Sequence, residues 1–208
     1  MRRLTVSGLL LCLVIVAAQA QEKPDALAMY LEGRYEEAIQ VCLAEIEALP
    51  RNMDSYVVMG WSLIELERYE EALEQAQKAL SVSPYDPRVA EIAGESLFHL
   101  GENQEALKHF EQYVFIAPTG GRIDRVYYFM GEIFIRLGQY NNADIALSTA
   151  LHFDESVARW WSRLGYAREM GEQYQWAMEA YENALRLNPN LMEARDGLAS
   201  VKKKLGGE

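Results

Sequence analysis

The sequence predicts an all-α solenoid of about five helix-turn-helix units followed by a C-terminal capping helix. Two series of small residues predict it, because both recur with the same period. The first series is Ala38, Ala72, Ala106, Ala143 and Ala177, and its steps are equal except for a longer one between Ala106 and Ala143. The second series is Gly60, Gly94, Gly131 and Gly165, with its longer step between Gly94 and Gly131. Both series lengthen by three residues at the same place, so one insertion explains both, and a fixed period of about 34 residues is typical of repeat proteins.

Each period contains two helical patterns. In residues 53–86, an apolar stripe that includes Tyr56, Met59 and Leu63 has the spacing of three and four residues that is typical of a helix. A second stripe follows after a short break, and Pro84 ends it because proline lacks an N–H group and cannot continue a helix. Each unit is therefore predicted to be a pair of antiparallel helices.

The units are predicted to stack on one another. Small residues such as Gly60 and Ala72 are expected where the two helices of a unit cross, because small side chains let helix axes approach closely. A single helical hairpin cannot bury its apolar face alone, so neighbouring units must supply a continuous core. The predicted units are residues 21–52 (truncated), 53–86, 87–123, 124–157 and 158–191, and the predicted capping helix is 192–205.

The last unit carries a specific set of residues. In order, these are Trp161, Leu164, Gly165, Tyr174, Ala177, Tyr181, Ala184 and Pro189. The set resembles the signature of the tetratricopeptide repeat (TPR) family, and the other units match it in part and in phase. The resemblance implies a right-handed α-solenoid whose concave groove is lined mainly by the first helix of each unit. It also implies a protein that binds other proteins, here an exported bacterial member of the family.

Residues 1–20 have the pattern of a secretory signal peptide. Two arginines precede an apolar run from Leu9 to Ala18, and residues 18–20 form a small-x-small cleavage pattern. We expect cleavage after Ala20. A retained membrane anchor is the alternative, but the apolar run is short for a membrane span. The mature chain is therefore expected in the periplasm of a bacterium with two membranes, or secreted from the cell.

The composition narrows the class of partner. Without residues 1–20 the chain has 18 basic and 31 acidic side chains, a net charge of −13. Such an acidic surface repels nucleic-acid phosphates and anionic membranes, so we expect neither as a partner. No second stretch is long and apolar enough to cross a membrane, so we also expect no membrane span in the mature chain. One cysteine remains, Cys42, which cannot form an internal disulfide and is expected to be a buried, unreactive thiol.

The resemblance to the TPR family also implies which residues line the groove. Carried over position by position, they are Val57, Trp61, Ile64, Arg88, Glu91, Glu95, Phe98, Arg125, Tyr128, Glu132, Arg159, Arg163 and Tyr166, with Ile135, Ser162 and Glu169 on the same faces. Arg88, Arg125 and Arg159 occupy one position in successive units, so stacking is predicted to align them opposite the carboxylates of an extended or helical peptide. The alternative is that these arginines pair with glutamates of the same chain. Aromatic groove residues are expected to anchor the partner.

The sequence has no pattern of a catalytic or metal site. The three histidines, His99, His109 and His152, lie in different units without metal-ligand spacing. The insertion at residues 119–123 contains two glycines but lacks the lysine and hydroxyl of a phosphate-binding loop, so we predict an inserted turn between units. We therefore expect no enzyme, no cofactor and no metal.

The sequence accordingly predicts an interaction scaffold of the bacterial cell envelope, in an assembly, secretion or appendage complex. The alternative is a periplasmic ligand-binding or transport-accessory protein with a small molecule in the groove, although an open, charged groove rarely encloses a ligand. The convex face and the loop at 119–123 are alternative binding surfaces. The truncated first unit is expected to expose an apolar edge that a partner or a second copy covers.

Overall fold

The computed structural model describes residues 24–206, and the predicted signal peptide lies outside the described residues. This part of the chain contains 11 α-helices and no strand. The helices are α1 (Ala26–Leu31), α2 (Tyr35–Ala48), α3 (Met53–Glu65), α4 (Tyr69–Val82), α5 (Pro87–Leu100), α6 (Asn103–Ile116), α7 (Ile123–Arg136), α8 (Tyr140–Phe153), α9 (Ala158–Met170), α10 (Tyr174–Leu187) and α11 (Met192–Gly206). The predicted all-α repeat solenoid is confirmed.

Local sequence chemistry sets the ends of the helices, as α5 illustrates. The carboxylate of Asp86 accepts the backbone N–H of Arg88 at 3.0 Å and so caps the N-terminus of the helix. Pro87 follows in the first turn, where its missing N–H costs nothing. Gly101 ends the helix in the left-handed conformation, with a φ of 85°.

In all five units, the turn between the two helices of the hairpin has a residue in the left-handed conformation at the same position. Its φ is 77° at Gly33, 58° at Glu67, 85° at Gly101, 70° at Gly138 and 61° at Glu172. Glycine adopts this conformation without strain, whereas a glutamate Cβ crowds the backbone there. Two of the five turns are therefore formed at an energetic cost.

Glycines let the two helices of a hairpin approach closely. A Cβ added at Gly94 would lie 2.6 Å from the ring of Phe110, one at Gly131 would lie 2.5 Å from Leu147, and one at Gly165 would lie 2.7 Å from Tyr181. Gly60 makes its closest approach to a different unit. Its nearest side chain is Ile92 of the next unit, at 2.9 Å, because the small Ala76 occupies the equivalent position on α4.

The helix α11 closes the C-terminal end of the stack. Its residues Ala194 and Val201 are fully buried against the last hairpin. Glu169 of α9 fixes its position by accepting hydrogen bonds from Ser200 Oγ at 2.6 Å and Lys204 Nζ at 2.9 Å. Burial acts to raise the pKa of Glu169, but these donors outweigh it and lower the pKa.

Candidate binding groove

The first helices of the units form the inner row of the solenoid. From α1 through α11, each first helix contacts the next first helix, whereas no two second helices contact each other in the part of the chain described. In a curved stack, the row whose members touch lies on the inside and the row whose members splay apart lies outside. The face formed by α1, α3, α5, α7 and α9 is therefore concave.

A cluster of polar and aromatic side chains joins three first helices at the base of this groove. Trp61 of α3 donates its indole N–H to Glu91 of α5, with 3.2 Å between Nε1 and Oε2. The other carboxylate oxygen of Glu91 accepts Nε of Arg122, which immediately precedes α7, at 2.9 Å. The guanidinium of Arg122 also lies 5.2 Å from the centre of the Trp61 ring, a cation–π contact.

A second carboxylate completes the cluster. Glu95, one turn after Glu91 on α5, forms an ion pair with Arg125 at 2.7 Å and a longer one with Arg122 at 3.5 Å. Glu91 is fully buried and Glu95 is 2% exposed. Two buried carboxylates thus face two guanidinium groups, and each charge is compensated inside the chain.

The burial of these groups changes their protonation. Burial raises the pKa of Glu91, Arg122 opposes the rise and the nearby Glu95 adds to it. Burial lowers the pKa of Arg122, but Glu91 and Glu95 outweigh this effect and the net pKa is raised. Arg122 therefore stays charged, while Glu91 takes up a proton more readily than an ordinary glutamate does.

The C-terminal half of the groove has a simpler arrangement. Arg163 donates Nε to Glu132 at 2.6 Å, and its guanidinium lies 5.1 Å from the centre of the Tyr166 ring. Tyr128 stacks on Trp160 with 5.2 Å between the ring centres. The ion pair and the stacked rings join α7 to α9, and the Tyr166 side chain remains exposed beside them.

The three arginines predicted to form a row have different partners. Arg88 forms ion pairs of 2.7 Å with Asp86 and with Asp54. Arg125 forms an ion pair with Glu95 at 2.7 Å. Arg159 is exposed and forms no ion pair within residues 24–206. Arg159 is therefore the member of the row whose charge is most open to a partner.

Several predicted groove residues lie below its surface. Val57, Ile64 and Phe98 are 1%, 8% and 7% exposed and belong to the apolar core. Ser162 is buried as well, whereas Ile135 is partly buried. These side chains support the groove from beneath in this structure, and Trp61, Tyr128 and Tyr166 supply its aromatic surface.

Sequence reasoning missed Arg122 and Tyr30. Arg122 belongs to the insertion at 119–123, and its backbone N–H is held by the hydroxyl of Tyr113 at 3.1 Å. Two glutamates one turn apart on the groove face of α5 were the available signal, because buried carboxylates require cations from a neighbouring unit. Tyr30 of the short α1 lies 5.8 Å from the Trp61 ring and extends the aromatic surface.

Three features of the described residues bear on a metal site, a reactive thiol and a membrane span. Within residues 24–206 no group of three or more His, Cys, Asp or Glu side chains is arranged to hold a metal ion. The thiol of Cys42 is fully buried, and burial raises its pKa to about 12, so it stays protonated at neutral pH. No helix among these residues is long and apolar enough to cross a membrane.

Stacked helical hairpins with a concave, arginine-rich groove define a repeat protein of the class that binds other proteins. Models of the tetratricopeptide repeat match residues 57–121, 124–156 and 158–191. The chain therefore belongs to the TPR family, whose fold supports protein–protein interaction scaffolds. No curated protein matches the sequence.

Solved structures show the same fold. A chain of the APC/C hetero-tetramer Cut9–Hcn1 is similar with a TM-score of 0.75 and 19% identity, over 85% of this chain and 35% of that one. A fragment of MamA from Desulfovibrio magneticus RS-1 has a TM-score of 0.68 and 20% identity, over 80% and 93%. YrrB, described as a TPR protein with an unusual peptide-binding site, has a TM-score of 0.66 and 19% identity, over 82% and 87%. At these identities the likeness concerns the fold alone.

Proposed function

We propose that this protein is an exported interaction scaffold of the bacterial cell envelope that binds an acidic peptide segment in its concave groove. The observation that carries the proposal is Arg159 of α9, whose side chain is exposed and forms no ion pair within the described residues. The other groove arginines, Arg88, Arg122, Arg125 and Arg163, each pair with carboxylates of the chain. The whole chain, in contrast, has a net charge of −11. An acidic peptide would be repelled by most of the surface and attracted to the unpaired charge of Arg159.

Glutamates of the chain, the buried Glu95 and the partly buried Glu132, hold two of these arginines in position. Arg125 uses one Nη to bind Glu95, and Arg163 uses Nε to bind Glu132. A guanidinium has five N–H donors, so each arginine keeps donors for a carboxylate of the partner. Because these glutamates already fix the arginine side chains, little conformational entropy is lost when a peptide binds.

Arg159 and Tyr166 form the best-exposed part of the groove. Arg159 has no ion pair within the described residues, and Tyr166 is 36% exposed beside Arg163. An aromatic ring next to arginines is the combination that dominates many protein interfaces. We expect an acidic side chain of the peptide to bind Arg159 and an apolar one to pack on Tyr166.

The proposed location rests on the sequence pattern of residues 1–20. In an expression host with two membranes, the full chain should be recovered from the periplasm with Gln21 as its first residue. N-terminal sequencing of the recovered protein tests this. A chain that keeps residues 1–20 and sediments with membranes would contradict the proposed export and favour an anchor.

The binding proposal is tested with a random peptide library displayed on phage and panned against the whole protein. Selected peptides should be enriched in Asp and Glu. Arg159→Glu should abolish the enrichment because it reverses an exposed groove charge. Arg186→Glu is the matched control, since Arg186 is exposed on the second helix α10 and contacts only Asn183 within the described residues.

The outcomes separate the candidate surfaces. Enrichment that survives Arg159→Glu and disappears with Arg186→Glu would move the site to the convex face. Selection of basic or purely apolar peptides by the unaltered protein would contradict the proposed charge of the partner.

A further inference from the structure

Glu91 and Glu95 form a pair of buried carboxyl groups on one helix. They lie one turn apart on α5, a spacing that places both side chains on the same face. Glu91 is fully buried and Glu95 is 2% exposed. Their carboxyl groups lie within hydrogen-bonding reach of each other. Two carboxyl groups can hydrogen-bond only when one of them carries a proton, so the contact has a place for one proton.

The hydrogen bonds of the pair leave one oxygen without a donor. Oε1 of Glu91 accepts Nε of Arg122 at 2.9 Å, and Oε2 accepts the indole N–H of Trp61 at 3.2 Å. Oε1 of Glu95 accepts a hydrogen bond from Arg125 at 2.7 Å. Oε2 of Glu95 is buried and accepts none from the described residues, since its ion-pair contact with Arg122 is long, at 3.5 Å. A buried oxygen without a donor is costly, and a proton on Glu91 supplies the donor.

The charges around the pair come from two arginines. Within the described part of the chain, Arg122 and Arg125 are the cations in ion-pair contact with it. Two ionised carboxyl groups would balance these two positive charges, whereas a pair that keeps one proton leaves one positive charge in excess. The side chains of Arg122 and Arg125 are 23% and 37% exposed, and the carboxyl groups are buried. The excess charge therefore faces the groove.

The other titratable groups around the pair keep their charge state through neutral pH. Tyr113 faces it from α6 and Tyr69 from α4, and burial raises the pKa of both above 10. Burial also raises the pKa of Tyr30 of α1, which faces the two arginines. Trp61 of α3 contributes an indole, which does not titrate. His99 of α5 stacks on Tyr69, and burial lowers its pKa below 6.5, so it is neutral at pH 7.

Burial and the neighbouring carboxyl group both favour a bound proton. Burial raises the pKa of Glu91 to about 7, Arg122 opposes the rise, and Glu95 adds to it. Two carboxyl groups that interact this closely release their protons in separate steps that belong to the pair. The pair therefore keeps one proton at a pH at which an exposed glutamate has lost its own.

We infer that Glu91 and Glu95 share a single proton near neutral pH, and that this proton controls the affinity of the groove for acidic partners. The coupling to a partner rests on the proposed function, whereas the shared proton does not. With the proton bound, the base of the groove carries one excess positive charge, and its loss at higher pH removes that charge. An acidic segment therefore binds more tightly as the pH falls, and its binding favours uptake of the proton.

Carbon-13 NMR of the glutamate carboxyl carbons measures the proton directly in the whole protein. The two signals are assigned as those that disappear in Glu91→Gln and in Glu95→Gln. In the unaltered protein both signals should move together in one step near pH 7, because one proton serves both groups. Either substitution should remove this step from the remaining signal, because an amide N–H takes the place of the shared proton.

The matched control for the titration is Glu132→Gln. Glu132 is also a groove glutamate paired with an arginine, Arg163, so its replacement should leave the step near pH 7 unchanged. Signals of Glu91 and Glu95 that move in two unrelated steps would overturn the inference. The absence of any step between pH 5 and pH 9 would overturn it as well.

Peptide affinity tests the coupling. The probe is a rhodamine-labelled 12-residue peptide that alternates glutamate with serine, and its carboxylates stay ionised above pH 6. Fluorescence anisotropy with the whole protein is measured at low ionic strength, where charges are weakly screened. The peptide should bind roughly threefold or more tightly at pH 6 than at pH 8.5, since the attraction between unit charges 4 Å apart changes an affinity about fivefold even in water.

Two variants separate the carboxyl pair from the neighbouring histidine. Glu91→Gln places an amide where the protonated carboxyl group lies, so its affinity at pH 8.5 should match that of the unaltered protein at pH 6. Its affinity should also be independent of pH. His99→Gln removes the histidine and should keep the full pH dependence. A pH dependence that is lost in His99→Gln and kept in Glu91→Gln would overturn the inference.

The outcomes distinguish this inference from the proposed function. Equal affinity of the unaltered protein for the peptide at pH 6 and at pH 8.5 would overturn the coupling and leave the proposed function standing. A peptide that binds at neither pH would contradict the proposed function and the coupling together. The carbon titration decides the shared proton in either case.

Discussion

Replacing Gly94 by alanine should destabilise the protein by up to about 2 kcal/mol, although alanine is the better helix former. The new Cβ would lie 2.6, 2.8 and 3.0 Å from three ring carbons of Phe110, where unstrained carbon contacts are about 3.5–4.0 Å. The ring cannot retreat easily, because Phe110 is fully buried and stacks on Phe129 with 5.7 Å between the ring centres. Overpacking of this kind costs about 1–3 kcal/mol, and the helix propensity of alanine returns about 1 kcal/mol.

The decisive test repeats the substitution in a Phe110→Ala background. That background alone should lose about 3–5 kcal/mol, because it removes a fully buried ring. Without the ring there is no clash, so Gly94→Ala should become stabilising by about 1 kcal/mol. Urea unfolding followed by circular dichroism measures all four proteins. The same loss in both backgrounds would refute the reasoning, since the clash with Phe110 would then not be its cause.

Three further predictions concern the charges and turns. Arg122→Leu should lower the free energy of unfolding at pH 8 by about 3–5 kcal/mol, because Glu91 is left buried without its cation. Adding Glu91→Leu should recover most of this loss. Urea unfolding of both variants checks this, and a double variant as unstable as the single one would contradict it. Glu172→Gly should stabilise the protein by roughly 0.5–1 kcal/mol because it relieves a strained φ of 61°. Gly138→Ala, at a position with a φ of 70°, should destabilise the protein by a similar amount or more. Thermal melts that show both changes to be neutral would contradict the assigned strain. Burial raises the folded-state pKa of Glu91 from 4.5 to about 7. Between these two pH values the folded protein binds more protons than the unfolded chain. This group therefore stabilises the fold at low pH, and its contribution is lost as the pH rises through 7. The stability of the wild type relative to Glu91→Gln should therefore fall between pH 5 and pH 8, and a constant difference would show that Glu91 is ionised throughout.

The arrangement of the central cluster has a consequence for the groove. Trp61, Glu91 and Arg122 join α3, α5 and α7 by side-chain contacts in addition to backbone packing. A peptide that competes for the guanidinium of Arg122 would have to leave Glu91 buried and unpaired, which is costly. We therefore expect partners to bind above this cluster, through donors that it leaves unused.

Much of the fold could be predicted from the sequence because its signals are local. The constant repeat period, the alternation of two helical stripes and the breaks between them depend on residues that are near one another in the chain. The close approach of Gly94 to Phe110 follows the same pattern, since both residues belong to one hairpin. Which two helices form each hairpin could thus be inferred from the sequence.

The candidate site was predictable only in outline. The groove face follows from the TPR pattern, but Arg122 lies 31 residues from Glu91 and precedes the helix of the next unit. Its position depends on the inserted turn and on how two units stack. The resemblance to the TPR family places Val57 and Phe98 on the groove face, yet both side chains are buried in the apolar core.

The sequence by itself determined the repeat, the order of the helices, the TPR family and the acidic character of the chain. These properties follow from spacing and composition, which do not depend on how the units meet. Only the tertiary structure decided that Gly60 packs against Ile92 and that Arg122 binds Glu91 in the groove. The physical reason is that these contacts join different units, and their geometry is set by side-chain size and stacking rather than by the helical period.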